Sequence, residues 1–315
     1  MSFTAEVKDE LSRVEGACEL CEVAELSALV RVCGTLTFHG SGRYSIRLAT
    51  ETGAVARTVI KLTHKIFNLE TTLTVRRSVL HKTRNYLIEI PEQDGLEEAL
   101  VRMGVLVLGR GLSSGIAARV VARPCCRAAY LRGAFMAGGF IADPRGDFHL
   151  EIAVTGEEFA DDLMELLDDE GITTRVNHRR GAYALYLKSF DDVISLLSVL
   201  GATRTAQAVR YIRRMKSVKN DVNRRVNAEI ANQARSTDAA ADQIELIEAA
   251  RRDPGLDALP PAVREFCEMR LAHPELSLRE LGRECDPPLS KSALYHRLLR
   301  LQAIVGEKDR EPATD

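Results

Sequence analysis

The hydrophobic and polar positions of the chain follow the same order in two stretches, 23–110 and 125–203. Each stretch begins with an apolar helix and continues through a first strand pair that includes an alternating strand, an amphipathic helix, a second strand pair and a closing helix. The predicted elements are strands at 43–49 and 147–153, helices at 51–68 and 157–170, strand pairs at 71–76 with 86–90 and at 173–177 with 182–187, and closing helices at 95–106 and 191–200. The pattern αββαββα therefore occurs twice, which predicts two halves that pair about a pseudo-twofold axis.

The first helix of each stretch carries small residues where two helices would touch. Ala28 and Gly34 lie in one helix and Gly133, Ala137 and Gly138 in the other, and an offset of 104 residues places Gly34 over Gly138. Small side chains let two backbones approach closely, as a helix pair on a symmetry axis requires. A glycine at a helix end can also serve only as a C-cap, but its recurrence in both copies favours the helix pair.

Three short helices are predicted near the C-terminus, each with apolar residues on one face. The first spans 262–271, and Ser277 with Glu280 forms a capping box that begins the second. Ser290 caps a third helix over 291–303, which carries a stripe of leucines. Three short helices with a tight turn before the third are typical of a helix-turn-helix domain.

The outward face of the third helix carries side chains that can donate hydrogen bonds to a base edge or a phosphate. A recognition helix presents its N-terminal residues to the major groove of duplex DNA. The predicted DNA-binding residues here are Ser290, Lys291, Ser292, Tyr295, His296, Arg297 and Arg300. The alternative is a three-helix packing module with a solvated polar face, whose acidic first helix would be the interacting surface.

Charge changes this picture in one place. The 315 residues carry a formal net charge of −2, so affinity for nucleic acid requires a local concentration of positive charge. The segment 204–225 supplies it, with eight Arg or Lys against the single acid Asp221. We predict phosphate contacts from this helical linker, with a solvated linker face as the alternative. The residues concerned are Arg213, Arg214, Lys216, Lys219, Arg224 and Arg225.

Residues 130–139, YLRGAFMAGG, resemble the LAGLIDADG helix of homing endonucleases, whose fold is the repeated αββαββα unit. In the active enzymes the last acidic residue of each motif holds a divalent metal at the scissile phosphates. The offset of 104 places Gly34 and Gly138 at those positions, and a glycine offers no side-chain oxygen to a metal. We therefore expect no catalytic residue and no nuclease activity.

Two alternatives stay open. One is a divergent nuclease whose metal ligands come from residues such as Asp143, Asp147 or Glu151, and the other is a protein-interaction scaffold without affinity for DNA.

The strands of the repeated domain would form a saddle that can lie along a DNA groove. Arg and Lys are ordinary on the solvent face of a sheet, and Glu89 and Glu151 lie on the same strands. DNA contact and a protein-docking or structural role both remain open for this surface. Its candidate positive groups are Arg43, Arg47, Arg76, Arg77, His81, Lys82, Arg84, Arg179 and Arg180.

Several segments of the chain resemble WhiA proteins. They are MSFT at 1–4, KNDVNRRVN at 219–227, LPP at 259–261, SLRELG at 277–282, LSKS at 289–292 and HRL at 296–298. The resemblance implies an α+β LAGLIDADG-like domain at 23–203 after a helical segment at 1–22, a helical linker at 204–259, an all-α helix-turn-helix domain at 260–303 and a disordered tail at 304–315.

What the family implies about function is a sequence-specific transcriptional regulator of sporulation, cell division and chromosome segregation. Its expected partner is double-stranded DNA, together with a component of the transcription machinery or another regulator, and no cofactor is expected. The chain has no apolar run of signal-peptide or membrane-spanning length, so we expect a cytoplasmic, nucleoid-associated protein. The oligomeric state stays open.

The seven cysteines are an odd number, which fits a reducing compartment better than a disulfide framework. Cys18 and Cys21 precede the first repeat helix, and Cys125 and Cys126 precede its partner, so the pseudo-twofold axis would let four thiols approach. Adjacent cysteines are awkward zinc ligands, and a second C-x-x-C pair is absent. Buried thiols are therefore the preferred interpretation, and no metal site is predicted.

Overall fold

The computed structural model describes residues 2–40, 42–77, 84–179 and 181–308, except for the side chains of residues 307 and 308. The chain divides into two compact units, with the boundary between Lys216 and Ser217. Each unit has its own hydrophobic core. Among the described residues, no helix is both long and apolar enough to cross a bilayer.

The first unit contains the predicted duplication after a short helix, α1 (Phe3–Leu11). The first repeat consists of α2 (Glu19–Cys33), β1 (Gly34–Gly40), β2 (Arg43–Thr50), α3 (Gly53–Phe67), β3 (Thr72–Arg77), β4 (Arg84–Ile90) and α4 (Leu96–Arg102). A two-stranded ribbon follows, β5 (Leu106–Val107) and β6 (Gly111–Leu112). The second repeat consists of α5 (Pro124–Gly138), β7 (Gly139–Ile141), β8 (Leu150–Val154), α6 (Glu157–Asp169), β9 (Arg175–Arg179), β10 (Ala182–Leu187) and α7 (Phe190–Leu200). The αββαββα prediction is confirmed in both halves.

Each repeat forms a four-stranded antiparallel sheet with the same topology. The strand orders are β1-β2-β4-β3 and β7-β8-β10-β9. The second strand of each repeat is therefore an inner strand, and one face of it packs on the core through Ile46 and Leu48 in β2 and through Ile152 and Val154 in β8. Alternation along these strands is what made them recognisable from the sequence.

Helices α2 and α5 pack against each other at the centre of the first unit, and a glycine sets their separation. A Cβ added to Gly133 would lie 2.3 Å from the carbonyl oxygen of Glu25 and 3.0 Å from the Cβ of Ala28. Only glycine permits so close an approach of the two backbones. The predicted pairing of the first helices through small residues is confirmed at this position.

A buried ion pair crosses the same interface. Arg132 of α5 donates two hydrogen bonds to Glu25 Oε2 of α2, at 2.7 and 3.1 Å, and both side chains are 5% exposed. Burial raises the pKa of Glu25, and the charge of Arg132 opposes that rise. A third hydrogen bond from Arg132 reaches the carbonyl of Leu200 at the end of α7. The pair therefore ties both repeats to the last helix of the second repeat.

The ends of α2 and α5 correct the predicted register of the two repeats. Gly34 and Gly139 each follow the last residue of their helix, and a Cβ on either would lie 2.2 or 2.3 Å from the carbonyl oxygen four residues earlier. Gly34 therefore corresponds to Gly139, an offset of 105, and the counterpart of Gly138 is Cys33. Leu48 pairs with Gly34 and Ile152 with Gly139, so the strands keep the offset of 104. The hairpin between the first two strands is one residue shorter in the second repeat. The offset of 104 that holds for the strands after it was applied to the helices before it, where the offset is 105.

The second unit is helical. Helix α8 (Thr203–Arg252) extends from the first unit into the second, and α9 (Pro261–Ala272), α10 (Leu278–Glu284) and α11 (Lys291–Lys308) follow. Their shared core includes Phe266, Leu281, Leu294 and Leu301, which is the predicted three-helix arrangement.

Two boundaries in this region differ from the prediction. Ile247 and Ala250 of α8 are fully buried in the core of the second unit, so the end of the predicted linker is part of the C-terminal unit. The sequence did not reveal this, because the polar and alanine-rich composition around 236–242 resembles a linker. In a helix only every third or fourth residue faces the core, so a buried face can be sparse in apolar residues. Helix α11 ends at Lys308, so residues 304–308 of the predicted disordered tail are helical, and 309–315 lie outside the described residues.

Candidate nucleic-acid interface

The start of α10 is fixed by the predicted capping box. The backbone N–H of Glu280 donates to Ser277 Oγ at 3.3 Å, and the backbone N–H of Ser277 donates to Glu280 Oε2 at 3.0 Å. The hydrogen bonds from Ser277 hold the pKa of Glu280 below its usual range. Two of the N–H groups that a helix start leaves without a partner are thus satisfied by side chains.

The turn between α10 and α11 is tied down by backbone contacts. The N–H of Leu289 donates to the carbonyl of Gly282 at 2.7 Å, and a Cβ on Gly282 would lie 2.3 Å from the carbonyl oxygen of Leu289. Ser290 Oγ then accepts a hydrogen bond from the N–H of Ala293 at 3.2 Å and caps α11, as predicted. The first turn of α11 therefore has a defined position relative to α10.

Helix α11 separates an apolar face from a polar one. Leu294, Leu298 and Leu301 are buried in the core of the second unit, as the leucine stripe predicted. The remaining face is exposed to solvent and carries the predicted hydrogen-bond donors. The exposed members of the predicted set are Ser290, Lys291, Ser292, Tyr295, His296 and Arg300.

Arg297 has a different environment from the rest of that set. Its guanidinium donates to Glu265 Oε2 of α9 at 2.8 Å, and its side chain is 19% exposed. This bond joins α9 to α11 and pairs the positive charge that the sequence had assigned to a DNA contact. We therefore remove Arg297 from the candidate contacts and assign it to the packing of the domain.

A groove in the second unit extends the polar face of α11. It has a volume of about 750 Å³, and Lys291 and Tyr295 line it together with Arg235 of α8 and Arg279 of α10. Both arginines are exposed and were not predicted as site residues. Arg279 lies in α10, the helix that begins at the capping box and precedes the recognition helix. The sequence therefore offered a reason to expect Arg279 near the DNA-binding face.

The floor of the groove includes a buried arginine, Arg270 of α9. It donates to Gln243 Oε1 at 3.0 Å and to the carbonyls of His273 at 3.0 Å and Leu276 at 2.6 Å. Burial lowers the pKa of Arg270. Its hydrogen bonds join α8, α9 and the chain before α10, so Arg270 acts as a structural bridge.

The basic residues of α8 divide into two groups. Arg213 lies 3.9 Å from the ring centre of Phe190 and 3.4 Å from Asp191, and Lys216 donates to the carbonyl of Gly146 at 2.6 Å. These two side chains attach the start of α8 to the first unit, although the side chain of Arg213 is still 49% exposed. The other members of the predicted set, Arg214, Lys219, Arg224 and Arg225, are exposed.

The saddle of the first unit is less positive than its arginine content suggests. Arg43 pairs with Glu92 at 3.2 Å, and Arg47 pairs with Glu89 at 2.7 Å. Partnered arginines add little positive field to a surface. The others that can be placed, Arg76, Arg77, Arg84 and Arg179, are exposed, whereas His81, Lys82 and Arg180 lie outside the described residues.

Three family models match consecutive parts of the chain. The WhiA N-terminal LAGLIDADG-like domain matches residues 19–106, the WhiA LAGLIDADG-like domain matches 127–219, and the WhiA C-terminal HTH domain matches 222–305. The chain belongs to the WhiA family. The resemblance seen in the sequence is thereby confirmed, and the helix-turn-helix domain indicates DNA binding.

Relatives of similar length support the assignment to WhiA. The chain is 38% identical to the probable cell division protein WhiA of Heliobacterium modesticaldum, over 99% of this chain and 98% of that protein. It is 40% identical to the probable cell division protein WhiA of Desulforudis audaxviator, over 97% of each. The crystal structure of full-length WhiA from Thermatoga maritima is 27% identical and covers 100% of both chains, with a TM-score of 0.62. The WhiA architecture thus extends over the whole chain.

The WhiA domain limits agree with the revised boundaries. The HTH match begins at residue 222 and includes the part of α8 that carries Ile247 and Ala250. The preceding match ends at residue 219, close to the division between the two compact units. In this WhiA protein the helix-turn-helix domain is therefore larger than the predicted 260–303.

Proposed function

We propose that this WhiA protein is a sequence-specific transcriptional regulator that reads duplex DNA with α11 and acts in cell division. The observation that carries the proposal is the exposed donor face of α11, on a helix whose first turn is fixed by the Ser290 cap and the contact between Gly282 and Leu289. A helix presented in this way fits the major groove, where each base pair shows a distinct pattern of donors and acceptors.

Affinity and specificity would come from different residues. Lys291 and Ser292 lie in the first turn of α11, which enters deepest in a recognition helix, and Tyr295, His296 and Arg300 follow on the same exposed face. Phosphate contacts would come from the exposed arginines and lysine of α8 and from Arg235 and Arg279, which carry charge but read no sequence.

We further propose that the first unit does not cleave DNA. Gly138 and its counterpart Cys33 offer no carboxylate where the LAGLIDADG resemblance places the metal-binding acids. Of the alternative ligands, Asp143 accepts the N–H of Arg145 at 2.9 Å, and Glu151 pairs with His149 at 3.0 Å. Local partners thus account for both carboxylates without a metal.

The biological assignment rests on the relatives. Proteins 38% and 40% identical over nearly the whole chain are named probable cell division protein, which supports a role in cell division. Sporulation and chromosome segregation, the involvement of a transcription partner, and a location on the nucleoid belong to the same proposal.

The first test is footprinting of the full chain on genomic DNA, followed by titration of a protected site at several salt concentrations. Lys291→Ala and Arg300→Ala should each weaken binding to that site by roughly 5- to 150-fold, or about 1–3 kcal/mol, if they read bases. Arg214→Ala should weaken specific and random DNA about equally and lower the salt slope by roughly one. Arg264→Ala removes a partly exposed positive charge of α9 that pairs with Asp257 and Glu268, and it serves as the matched control outside the predicted face.

Each alternative function has its own result. Unchanged affinity of the Lys291→Ala and Arg300→Ala proteins would make the three-helix module a packing domain. Absence of any salt-dependent retention on DNA would favour a protein scaffold. Nicking of supercoiled plasmid with magnesium or manganese, above a control without protein, would favour the divergent nuclease.

A further inference from the structure

Four cysteine thiols from two distant segments meet at the N-terminal ends of α2 and α5. Cys18 is the N-cap of α2 and Cys21 lies in its first turn, whereas Cys125 and Cys126 lie in the first turn of α5. The four Sγ atoms all lie within 4.8 Å of one another, and this is the one such group of potential metal ligands within the described part of the chain. The four thiols therefore meet, as the pseudo-twofold axis predicted.

The adjacent cysteines both reach the cluster. The Sγ of Cys18 lies 3.8 Å from that of Cys125 and 3.7 Å from that of Cys126. The Sγ of Cys21 lies 3.4 Å from that of Cys18 and 4.0 Å from that of Cys126. The sequence argued against zinc because Cys125 and Cys126 are adjacent. In the structure Cys18, at the start of α2, lies within 3.8 Å of both of them, so adjacency does not keep either thiol out of the cluster.

These separations match those of a tetrahedral zinc site. With a zinc–sulfur bond of about 2.3 Å, the sulfur atoms of a regular tetrahedron are about 3.8 Å apart. Four of the six separations, at 3.4 to 4.0 Å, lie on both sides of that value, and the other two are no longer than 4.8 Å. The thiols are therefore spaced for a single ion bound by all four.

Two other chemistries fit the separations less well. A disulfide requires about 2.05 Å between sulfur atoms, and the nearest pair, Cys18 and Cys21, is 3.4 Å apart. An iron–sulfur cluster binds its cysteines through different iron atoms, which requires wider spacing than a group contained within 4.8 Å. Hard cations such as magnesium prefer oxygen ligands.

The surroundings favour thiolates at this place. The N-terminal ends of two helices point at the cluster, and neither N-cap, Cys18 nor Arg123, accepts a side-chain capping hydrogen bond. The helix dipole stabilises negative charge at such an end. Cys21 and Cys126 are buried, whereas Cys18 and Cys125 are partly exposed, which leaves a path for an ion.

We propose that Cys18, Cys21, Cys125 and Cys126 form a structural zinc site that cross-links the two repeats at the N-terminal ends of α2 and α5. Four protein ligands leave no open position for a substrate, so the role is structural and not catalytic. A metal shared by two segments more than 100 residues apart in sequence stabilises the folded unit, because the unfolded chain does not present the four ligands together.

The test begins with the full chain purified under reducing conditions, incubated with zinc and passed through a desalting column. We expect about one zinc per chain by elemental analysis. Cys18→Ser and Cys126→Ser should each reduce the retained zinc at least roughly tenfold at limiting metal. Cys33→Ser is the matched control, because Cys33 lies in the same unit and donates to the carbonyl of Leu29, which a hydroxyl can also do.

A second measurement covers the case in which a serine variant fails to fold. The wild-type chain loaded anaerobically with cobalt should show the intense visible d–d bands of tetrahedral cobalt thiolate and the charge-transfer bands of sulfur ligation. Removing zinc with a chelator should lower the unfolding temperature of the wild-type protein.

Each of four results would overturn the proposal. They are a wild-type chain that retains less than about a tenth of an equivalent of zinc, iron in place of zinc, disulfides among these cysteines in the reduced preparation by alkylation and mass spectrometry, and equal zinc loss in the Cys33→Ser control. An unfolding temperature that does not respond to zinc removal would refute the structural role.

Discussion

Replacing Gly138 with alanine tests whether the first unit can accept any side chain at the position of the missing acid. A Cβ at Gly138 would lie 2.2 Å from the carbonyl oxygen of Ala153 and 2.8 Å from Cγ1 of Val32. Ala153 is inside β8, where it pairs with Ala184, and Val32 is in the last turn of α2. Neither neighbour is the free end of a flexible side chain, so α5, β8 or both must move.

The expected magnitude is the difference between two opposing effects. Glycine to alanine stabilises a helix interior by about 1 kcal/mol, and Gly138, as the last residue of α5, gains at most that amount. Forcing an extra carbon into a packed core costs about 1–3 kcal/mol and sometimes more. Because the clash of Gly138 is with a backbone carbonyl, the cost should lie at the upper end, and the net change should be a loss of about 1–2 kcal/mol.

Hydrogen–deuterium exchange by mass spectrometry on the full chain can measure this loss locally. Peptides from α5 and β8 should exchange faster in Gly138→Ala, whereas peptides from the second unit serve as an internal reference. Gly146→Ala is the control, since a Cβ there would meet its nearest atom at an ordinary 3.5 Å. Exchange as slow as in the wild type, or slower, would refute the packing argument.

The same geometry bears on the proposed lack of nuclease activity. Placing aspartate at both Cys33 and Gly138 should not produce magnesium- or manganese-dependent nicking of supercoiled DNA, because a carboxylate at Gly138 requires α5 or β8 to move. Cleavage by this double variant, with the wild type inactive, would show that the backbone adapts at little cost.

Three further predictions concern stability and boundaries. Arg132→Met should destabilise the first unit by about 3–5 kcal/mol, because it leaves Glu25 buried without a partner, and Glu25→Gln in the same chain should recover part of the loss in the exchange experiment. The pKa of Glu280 is lowered in the folded state, so its stabilising effect is present above pH 4.5 and is lost as pH falls through the folded pKa. Glu280→Gln should therefore flatten the acid limb of the pH dependence of helicity by circular dichroism, and an unchanged limb would contradict this. Trypsin should cut first within 214–225, where α8 is exposed, and earliest cuts within 240–252 would contradict the revised boundary.

The repeats and the helix-turn-helix were predictable because their signals are periodic and redundant. A one-residue error in any single element leaves the pattern of a repeat intact, which is why αββαββα was recovered although Gly34 was matched to Gly138 instead of Gly139. The exact register was not predictable, because it depends on the length of a hairpin that differs by one residue between the copies.

Partners of charged side chains could not be read from the sequence. The sequence placed Arg297, Arg213 and Lys216 among the DNA contacts because of their positive charge. In the structure Arg297 pairs with Glu265, Arg213 pairs with Asp191, and Lys216 donates to the carbonyl of Gly146. Each partner lies between 22 and 70 residues away along the chain, beyond the reach of local pattern.

The buried pair of Arg132 with Glu25 was also missed, although a signal for it existed. Glu25 lies between Ala24 and Leu26, and Arg132 between Leu131 and Gly133, and a charge that is buried among such neighbours usually has a partner. Other charges, such as Glu22 and Arg127, lie on the same two helices, so the sequence suggested an ion pair without fixing its members.

The packing of α2 and α5 supports the proposal that the first unit does not cleave DNA. Gly133 and Gly138 are both positions where a Cβ would strike a carbonyl oxygen of a neighbouring element, at 2.3 and 2.2 Å. A carboxylate ligand needs a side chain at the second of these positions, so the close approach that buries the core also excludes the ligand.

In the proposed division of roles, recognition of DNA then falls to α11, where the donors lie on a helix whose polar face is free of core contacts. A first unit that serves as a scaffold should tolerate loss of charge at Arg76 or Arg77 with little change in sequence preference, whereas Lys291→Ala should change that preference in the same footprinting experiment.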